Sequence, residues 1–205
     1  ETRGISKDVE ETRTIEFVIS TEKKDRHGTV VPLKNWDLDN FNSNGIVGYQ
    51  HDVYGGGFCN DVENPDKVLG IGEAWHDMSH QVKGLNNKGA LIGSVKFEPE
   101  NINPLAEKIF RKVLHGTLKS TSVGFAETKE GDFGSGVEAK GQEEETYYYG
   151  GQELLEFSIV NIPSNTDARV RAMRDQTANA LNYIKRATGG FCSTNELLKM
   201  SVSEV

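Results

Sequence analysis

The sequence predicts a mainly β protein of the α+β class, with a body like a β-barrel. Glycine is frequent and proline is sparse, at 22 and 5 of 205 residues, and glycines scattered among short apolar runs are typical of turn-rich β proteins. Several short segments alternate apolar and polar residues with the period of two that a half-buried strand shows. Strands come first, then one helix, more strands and a helical tail, which favours a barrel-like body over repeated βαβ units.

The first half of the chain carries four segments with strand patterning, at residues 14–20, 45–50, 68–75 and 90–97. Between the first two, residues 36–44 are rich in Asp, Asn and Ser and are predicted to be mostly loop, with Trp36 and Phe41 as apolar anchors. The segment at 45–50 is a short buried strand that delivers His51 at its end.

The clearest helix is predicted to begin after Asn103. Asparagine is a good N-cap, and Pro104 at the first helical position loses no hydrogen bond that the helix needs. Gly116 is typical of a C-cap. The apolar stripe consists of Leu105, Ile109, Phe110 and Val113. Strand patterning then returns at residues 118–125, 147–149 and 154–162.

These elements predict a flexible N-terminus at residues 1–11, one β domain at residues 12–172 and a helical tail at residues 173–205. From about Asp167 the apolar residues take a helical period. The side chains on that face are Val170, Met173, Leu181 and Ile184. A run rich in Glu, Gly and Lys at residues 127–145 is predicted to be a mobile insertion.

Net charge, the length of apolar runs and the cysteine pattern argue against several classes of protein. The net charge of -8 argues against nucleic-acid binding, which needs a basic face. The sequence shows no apolar run near the roughly 20 residues that span a bilayer, so no membrane partner is expected. Cys59 and Cys192 are far apart and form no CxxC motif, which favours a reducing compartment over a disulfide framework.

Three segments could carry serine-based chemistry. His51 follows a buried strand, where it is either a catalytic base or a half-exposed histidine bonded to a turn. Ser120 and Ser122 share a strand face, and a serine hydroxyl needs a base within hydrogen-bond reach to become a nucleophile. Glu156 interrupts an apolar strand and is either buried against a partner such as histidine or exposed on an edge strand.

A metal site is a second alternative. His76 and His80 are four residues apart, and on a helix both rings could bind zinc together with His51 and Asp52. The segment is predicted to be a loop after a strand and lacks the glutamate of an HExxH motif. A surface turn is therefore the favoured interpretation of this pair.

Three motifs in order resemble the prohead proteases of tailed bacteriophages. They are Gly48-Tyr49-Gln50-His51-Asp52, Ser122-Val123-Gly124-Phe125, and the strand Glu156-Phe157-Ser158-Ile159-Val160 that runs on to Pro163-Ser164-Asn165. The early turn Asp25-Arg26-His27-Gly28 also looks like that of the family. Ser164 stands where the family often has alanine. The resemblance covers residues 12–172.

The resemblance implies a fold similar to the herpesvirus assembly proteases, which is an antiparallel β-barrel surrounded by helices. It also implies a serine–histidine–acid site. On this basis Ser122 is the nucleophile, His51 the general base and then acid, and Glu156 the group that orients His51. Ser120 is the weaker alternative nucleophile. In the herpesvirus proteases the third member is a second histidine, so His76 or His80 is the alternative to Glu156.

The resemblance also implies a function. The chain would be an endopeptidase that cleaves scaffold or capsid precursor proteins, and itself, inside the assembling procapsid of a phage or prophage in the bacterial cytoplasm. It implies no cofactor or metal, and a homodimer by analogy with the herpesvirus proteases. The alternative is a catalytically silent assembly protein of the same fold that binds capsid or scaffold.

Overall fold

The computed structural model of the chain describes residues 7–53, 65–81, 88–134 and 146–172. Residues 13–172 form one compact unit, and the helix α1 (Lys7–Thr12) belongs to a second unit. The terminus predicted to be flexible over residues 1–11 is therefore helical from Lys7 onward. Cys59, Cys192 and the predicted helical tail at 173–205 lie outside the described residues.

Eleven strands and three α-helices lie within the described residues. The strands are β1 (Thr14–Ser20), β2 (Thr29–Val30), β3 (Trp36–Asp37), β4 (Ile46–Tyr49), β5 (Val68–Gln81), β6 (Lys88–Phe97), β7 (Ser120–Lys129), β8 (Asp132–Phe133), β9 (Tyr147–Tyr148), β10 (Gly151–Val160) and β11 (Val170–Ala172). The other helices are α2 (Asp39–Ser43) and α3 (Pro104–His115), and 3₁₀ turns occupy Leu33–Asn35 and Pro65–Lys67. The prediction of a mainly β protein with accompanying helices is confirmed.

Eight of these strands form one sheet in the order β11-β1-β6-β5-β4-β10-β3, with β7 paired to the other edge of β10. The strand β10 runs parallel to β4 and β3 along one edge and antiparallel to β7 along the other. Strand β10 therefore has a neighbour on each edge. Its side chains lie in register with those of β4 on one edge and β7 on the other. The strands β2, β9 and β8 form a second sheet in that order.

The eight-stranded sheet does not close into a barrel. Across the described residues, β7 and the β11 segment meet through an isolated bridge between Ser120 and Arg169 and two flanking backbone hydrogen bonds, rather than through a continuous ladder. The physical reason is that β11 has only three residues, too few to pair along the ten residues of β7. The predicted closed barrel is therefore wrong, and the sheet is open between β1 and β7.

The ring of Phe157 fixes which way β10 faces. It is fully buried and packs on Phe41 with 5.8 Å between ring centroids. A Cβ atom at Gly72 or Gly93 would lie 3.2 or 2.9 Å from this ring, so glycine on β5 and β6 makes room for it. Because side chains alternate along a strand, the neighbours Glu156 and Ser158 point to the opposite face.

Helix α3 has the predicted bounds and caps. Asn103 accepts a hydrogen bond from the Ala106 backbone N–H at 3.0 Å, and Gly116 takes a left-handed conformation at the C-cap. The predicted apolar stripe is buried except for Leu105, which is half-buried. Four residues separate the end of the helix from the start of β7. The helix therefore leads directly into the strand that carries Ser122. None of the described helices is long and apolar enough to cross a lipid bilayer.

Two predicted loops are strands instead. The segment from His76 to His80 continues β5, which pairs with β6 as far as Gln81. The first residues of the insertion predicted at 127–145 are strand, because β7 runs to Lys129 and β8 pairs with β9. Residues 135–145 lie outside the described part of the chain.

The helical period predicted from Asp167 is wrong for its first residues. Val170–Ala172 forms β11, in which Val170 pairs with Phe17 of β1 and donates its backbone N–H to Lys119 O at 2.7 Å. Sheet pairing outweighs local periodicity here because the backbone hydrogen bonds of the segment are satisfied by two neighbouring strands. The other residues of that predicted helical face lie beyond the described residues.

Candidate active site

A surface groove of about 560 Å³ lies where the sheet stays open. One wall is the end of β1, at Ile19 and Ser20, and the other is the first half of β7, at residues 122–125. His51 also lines the groove. Two of the three residues predicted to form the site, Ser122 and His51, therefore face one cavity, although they are 71 positions apart in the chain.

Ser122 is half-buried on β7, directly opposite Ser158 of β10. Gly124 lies opposite Glu156 in the same register. Opposed residues of an antiparallel pair project to the same face, so Ser122 shares a face with the Glu156 and Ser158 side chains. Ser120 does not line the groove, and it forms the bridge with Arg169.

His51 follows β4 in an uncommon backbone conformation. Gln50 and His51 have φ values of 58° and 60°, in the left-handed region that non-glycine residues seldom occupy. Three hydrogen bonds hold the turn: Gln50 N–H to Ile159 O at 3.0 Å, Asn161 N–H to Gln50 Oε1 at 3.1 Å, and His51 N–H to Ser158 Oγ at 3.1 Å. The acceptors and donors on β10 and just after it thus impose the conformation that presents the imidazole.

Glu156 is the buried carboxylate of the site, with only 1% of its surface exposed. Its Oε1 lies 2.6 Å from His51 Nδ1, and its Oε2 accepts a hydrogen bond from Ser158 Oγ at 2.6 Å. A buried carboxylate costs several kcal/mol unless it is paired, and here both oxygens have partners. With Nδ1 directed to Glu156, the other ring nitrogen, Nε2, is left to accept a proton.

Gly48 makes this arrangement sterically possible. It is the β4 neighbour of Ser158. A Cβ atom at this position would lie 2.8 Å from Ser158 Oγ, 3.7 Å from Glu156 Oε2 and 2.4 Å from Val53 Cγ1. The absence of a side chain at Gly48 therefore leaves the volume that the carboxylate and hydroxyl occupy.

The early turn and the loop after β10 form another part of the groove. Asp25 Oδ1 accepts the backbone N–H groups of His27 and Thr29, each at 2.9 Å, and its Oδ2 accepts a hydrogen bond from Ser164 Oγ at 3.0 Å. Both segments carry groove residues, including His27 and Asn165. This carboxylate therefore joins two segments far apart in sequence at the mouth of the groove.

Sequence reasoning missed Ser158, Gly48 and the role of the Asp25 turn. Ser158 had one available signal: it lies two residues after Glu156, so on a strand both side chains project to one face. Gly48 and Asp25 act through contacts with distant segments, at Ser158 and Ser164 respectively. No local pattern in the sequence contains such contacts.

The histidine pair on β5, His76 and His80, is not part of the groove lining. His76 Nε2 lies 2.8 Å from Leu33 O, a contact that satisfies the ring through the backbone. Burial, followed by the charge of Arg171, lowers the pKa of His80 below its ordinary value. Neither residue lines the groove with Ser122 and His51, and this makes both weak substitutes for Glu156.

The zinc alternative is not supported by the geometry. His76 directs its Nε2 to Leu33 O, so this nitrogen is not offered to an ion shared with His80. Asp52 is bound to Lys67 Nζ at 2.5 Å. The described part of the chain contains no cluster of three or more His, Cys, Asp or Glu side chains able to hold a metal.

A serine and a histidine in one groove, with a buried carboxylate behind the histidine, is an arrangement typical of serine hydrolases. A family model described as Caudovirus prohead serine protease matches residues 87–182 of the chain. The matched region contains Ser122 and Glu156, while His51 precedes it. No curated protein and no solved structure matches the chain, so the predicted fold relation to the herpesvirus assembly proteases stays a prediction.

Proposed function

We propose that the chain is a serine endopeptidase of phage prohead maturation, with Ser122 as nucleophile, His51 as general base and Glu156 as the group that orients His51. The observation that carries the proposal is the 2.6 Å contact between His51 Nδ1 and the buried Glu156 carboxylate, in a groove that also contains Ser122. The family match over residues 87–182 supports the same reaction class.

In the proposed reaction, Ser122 Oγ attacks the carbonyl carbon of a peptide bond while His51 Nε2 takes its proton. His51 then gives this proton to the leaving amine as the tetrahedral intermediate collapses. Water completes the cycle by hydrolysing the acyl-enzyme, again with His51 as base. Glu156 accepts a hydrogen bond from Nδ1–H throughout and stabilises the imidazolium that forms twice in each cycle.

The edge of β7 supports a peptide as the substrate. Thr121 donates its backbone N–H to Ala168 O at 3.2 Å, so its peptide groups face away from β10. Peptide groups alternate along an antiparallel strand, and those of Val123 then face the same way, toward the groove that this residue lines. An extended peptide can pair with such an edge by strand addition, and this places its carbonyl groups beside Ser122.

The family resemblance supplies the biological substrate of the proposal. The cleaved proteins would be the capsid precursor or scaffold inside the procapsid, in the host cytoplasm, and the chain would also cleave itself. A homodimer is part of the same proposal. The second candidate, a silent assembly protein of this fold, differs in one testable respect, because it requires no reactive serine.

The test is reaction with a fluorophosphonate probe combined with co-expression of the capsid precursor. The wild-type protein is expected to be labelled and to cleave the precursor. Ser122→Ala should lose both properties, and Ser120→Ala should keep both, because Ser120 lies outside the groove. Labelling and cleavage that persist in Ser122→Ala would contradict the assignment. A folded wild-type protein that neither reacts nor cleaves would favour the silent alternative.

A further inference from the structure

The hydroxyl of Ser158 lies between the two residues that the proposed reaction needs most. It is fully buried. It donates a hydrogen bond to Glu156 Oε2 at 2.6 Å and accepts the backbone N–H of His51 at 3.1 Å. We propose that Ser158 is a positioning residue, which fixes the Glu156 carboxylate and the His51 backbone so that the imidazole stays in the groove that Ser122 also lines. This inference rests on the proposed function.

A hydroxyl is the group that this position requires. One side of the contact, Glu156 Oε2, is an acceptor, and the other, the His51 N–H, is a donor, so the intervening atom must donate and accept at once. Alanine and valine can do neither. Without the hydroxyl, the buried carboxylate oxygen of Glu156 and the backbone N–H of His51 would both lose a partner.

The neighbouring strand is adapted to this hydroxyl. A Cβ atom at Gly48 would lie 2.8 Å from Ser158 Oγ, closer than an uncharged carbon and oxygen can approach without displacement. The register aligns Ser158 with Gly48 on one side and Ser122 on the other. The hydroxyl therefore occupies a volume that β4 leaves free, in the row of residues that contains the proposed nucleophile.

The strained turn gives the contact a role in orientation. His51 has φ 60°, and such a conformation persists only where surrounding contacts determine it. The bond from His51 N–H to Ser158 Oγ is a direct contact between this peptide group and the strand that carries Glu156. If it is lost, the backbone of His51 and the carboxylate that binds its ring can shift independently.

The test compares Ser158→Thr with Ser158→Val in the full chain. Threonine and valine have the same shape, so any cost of the added methyl group is shared and the variants differ in the hydroxyl alone. The readout is the rate of fluorophosphonate labelling, in which Ser122 Oγ displaces fluoride from phosphorus and His51 takes the proton. The maximal labelling rate and the probe concentration at half-maximal rate are measured separately.

We expect the Thr variant to label near the wild-type rate and the Val variant to label about 10- to 100-fold more slowly, with the half-maximal probe concentration unchanged. Equal maximal rates for Thr and Val would overturn the inference. If the Val variant does not fold, Ser158→Cys replaces it, because a thiol is a weak donor and acceptor. In that comparison a Cys rate equal to the Thr rate would overturn the inference.

Two further variants separate this inference from the proposed function. Ser122→Ala identifies the labelled residue: labelling that survives this change means the proposed function is wrong, whatever the Ser158 variants do. Ile109→Val, which removes a buried methyl group from α3, controls for stability. It should lower the unfolding midpoint without changing the maximal labelling rate, and Ser158→Val should lower the rate even at temperatures where both proteins are folded.

Discussion

At the scale of single residues, Glu156 has the most demanding position in the candidate site. It is almost completely buried in a strand that is flanked on both edges, and its two oxygens have different partners, the His51 ring and the Ser158 hydroxyl. Each partner depends on the other through the Ser158 contact with the His51 backbone. Substitution of Glu156 should therefore change the rate of reaction as well as stability.

Glu156→Gln is expected to reduce the labelling or cleavage rate by about 10²- to 10⁴-fold. A neutral amide offers one oxygen for two donors and cannot stabilise the imidazolium. The measurement is the maximal rate of fluorophosphonate labelling, and Glu153→Gln is the matched control, because it removes a charge from the same strand at a contact with Asn40. A Glu156→Gln rate within threefold of the control would contradict the assigned role.

The sequence could identify the candidate residues and left their geometry open. Ser122, His51 and Glu156 were selected by motif order, and Glu156 could have been either buried or exposed on composition alone. The turn at Gln50–His51 could not be predicted, because a left-handed conformation is normally expected at glycine. It is imposed by the backbone hydrogen bonds that Gln50 and His51 donate to Ile159 O and Ser158 Oγ, which are more than 100 residues away.

At the scale of elements, α3 is fixed to the sheet through its N-cap. Asn103 is 1% exposed, and its Nδ2 donates to Asp66 O and Val68 O, at 2.9 and 2.8 Å, while its oxygen caps the helix. One side chain thus joins the start of α3 to the start of β5. The chain segment that leads into Ser122 is held in place by this contact.

Asn103→Ala is expected to destabilise the protein by about 2 kcal/mol or more. The loss combines about 1 kcal/mol for an N-cap with the cost of two carbonyl groups that lose their donor. Urea denaturation measures the change, with Asn101→Ala, at an exposed position two residues earlier, as the control. If both variants unfold at the same urea concentration, Asn103 has no such role.

The helix and strand whose sequence signals lie within their own residues have the predicted bounds. Strands that form only by pairing with a segment distant in sequence were not predicted. The bounds of α3 and β1 follow from caps and alternation inside each segment. The extension of β5 through His76–His80 depends on β6, and the strand at Val170–Ala172 depends on β1. A polar or helix-patterned segment becomes a strand when a neighbouring edge offers it hydrogen bonds.

At the scale of the whole molecule, an ion pair spans the sheet. Arg171 of β11 contacts Asp77 of β5, and the strands β1 and β6 lie between them. Burial opposes ionisation of Asp77, but hydrogen bonds from Ser79 and the charge of Arg171 outweigh it and hold the pKa of Asp77 below its ordinary value. The pair therefore connects the short end strand to the body of the sheet.

Asp77→Asn should remove about 1 kcal/mol of stability at neutral pH, and the difference from wild type should shrink in acid. A carboxyl with a lowered pKa in the folded state contributes stability above its unfolded pKa of about 4, and this contribution is lost as the pH falls through the folded value. Urea denaturation between pH 7 and pH 3 measures it. Glu100→Gln, at an exposed turn, is the control, and a difference independent of pH would contradict the prediction.

The overall class was predictable, and closure of the sheet was not. Composition and alternation indicate a β protein with few helices, but whether a sheet closes depends on the length of its end strands and on their partners. Here β11 has only three residues, too few to pair along the ten residues of β7, and the groove lies where this pairing stops. A pattern that predicts each strand separately contains no information about this gap.

Under the proposed function, the open edge of β7 has a consequence for which proteins the chain would cleave. A substrate that pairs with this edge must offer several residues in extended form, with backbone groups not already engaged in its own helices or sheets. Compact domains cannot meet this condition, whereas linkers and unfolded segments can. Substrate choice would then depend first on conformation and only second on residue type, so a precursor protein could protect or expose its cleavage sites simply by changing its fold during assembly.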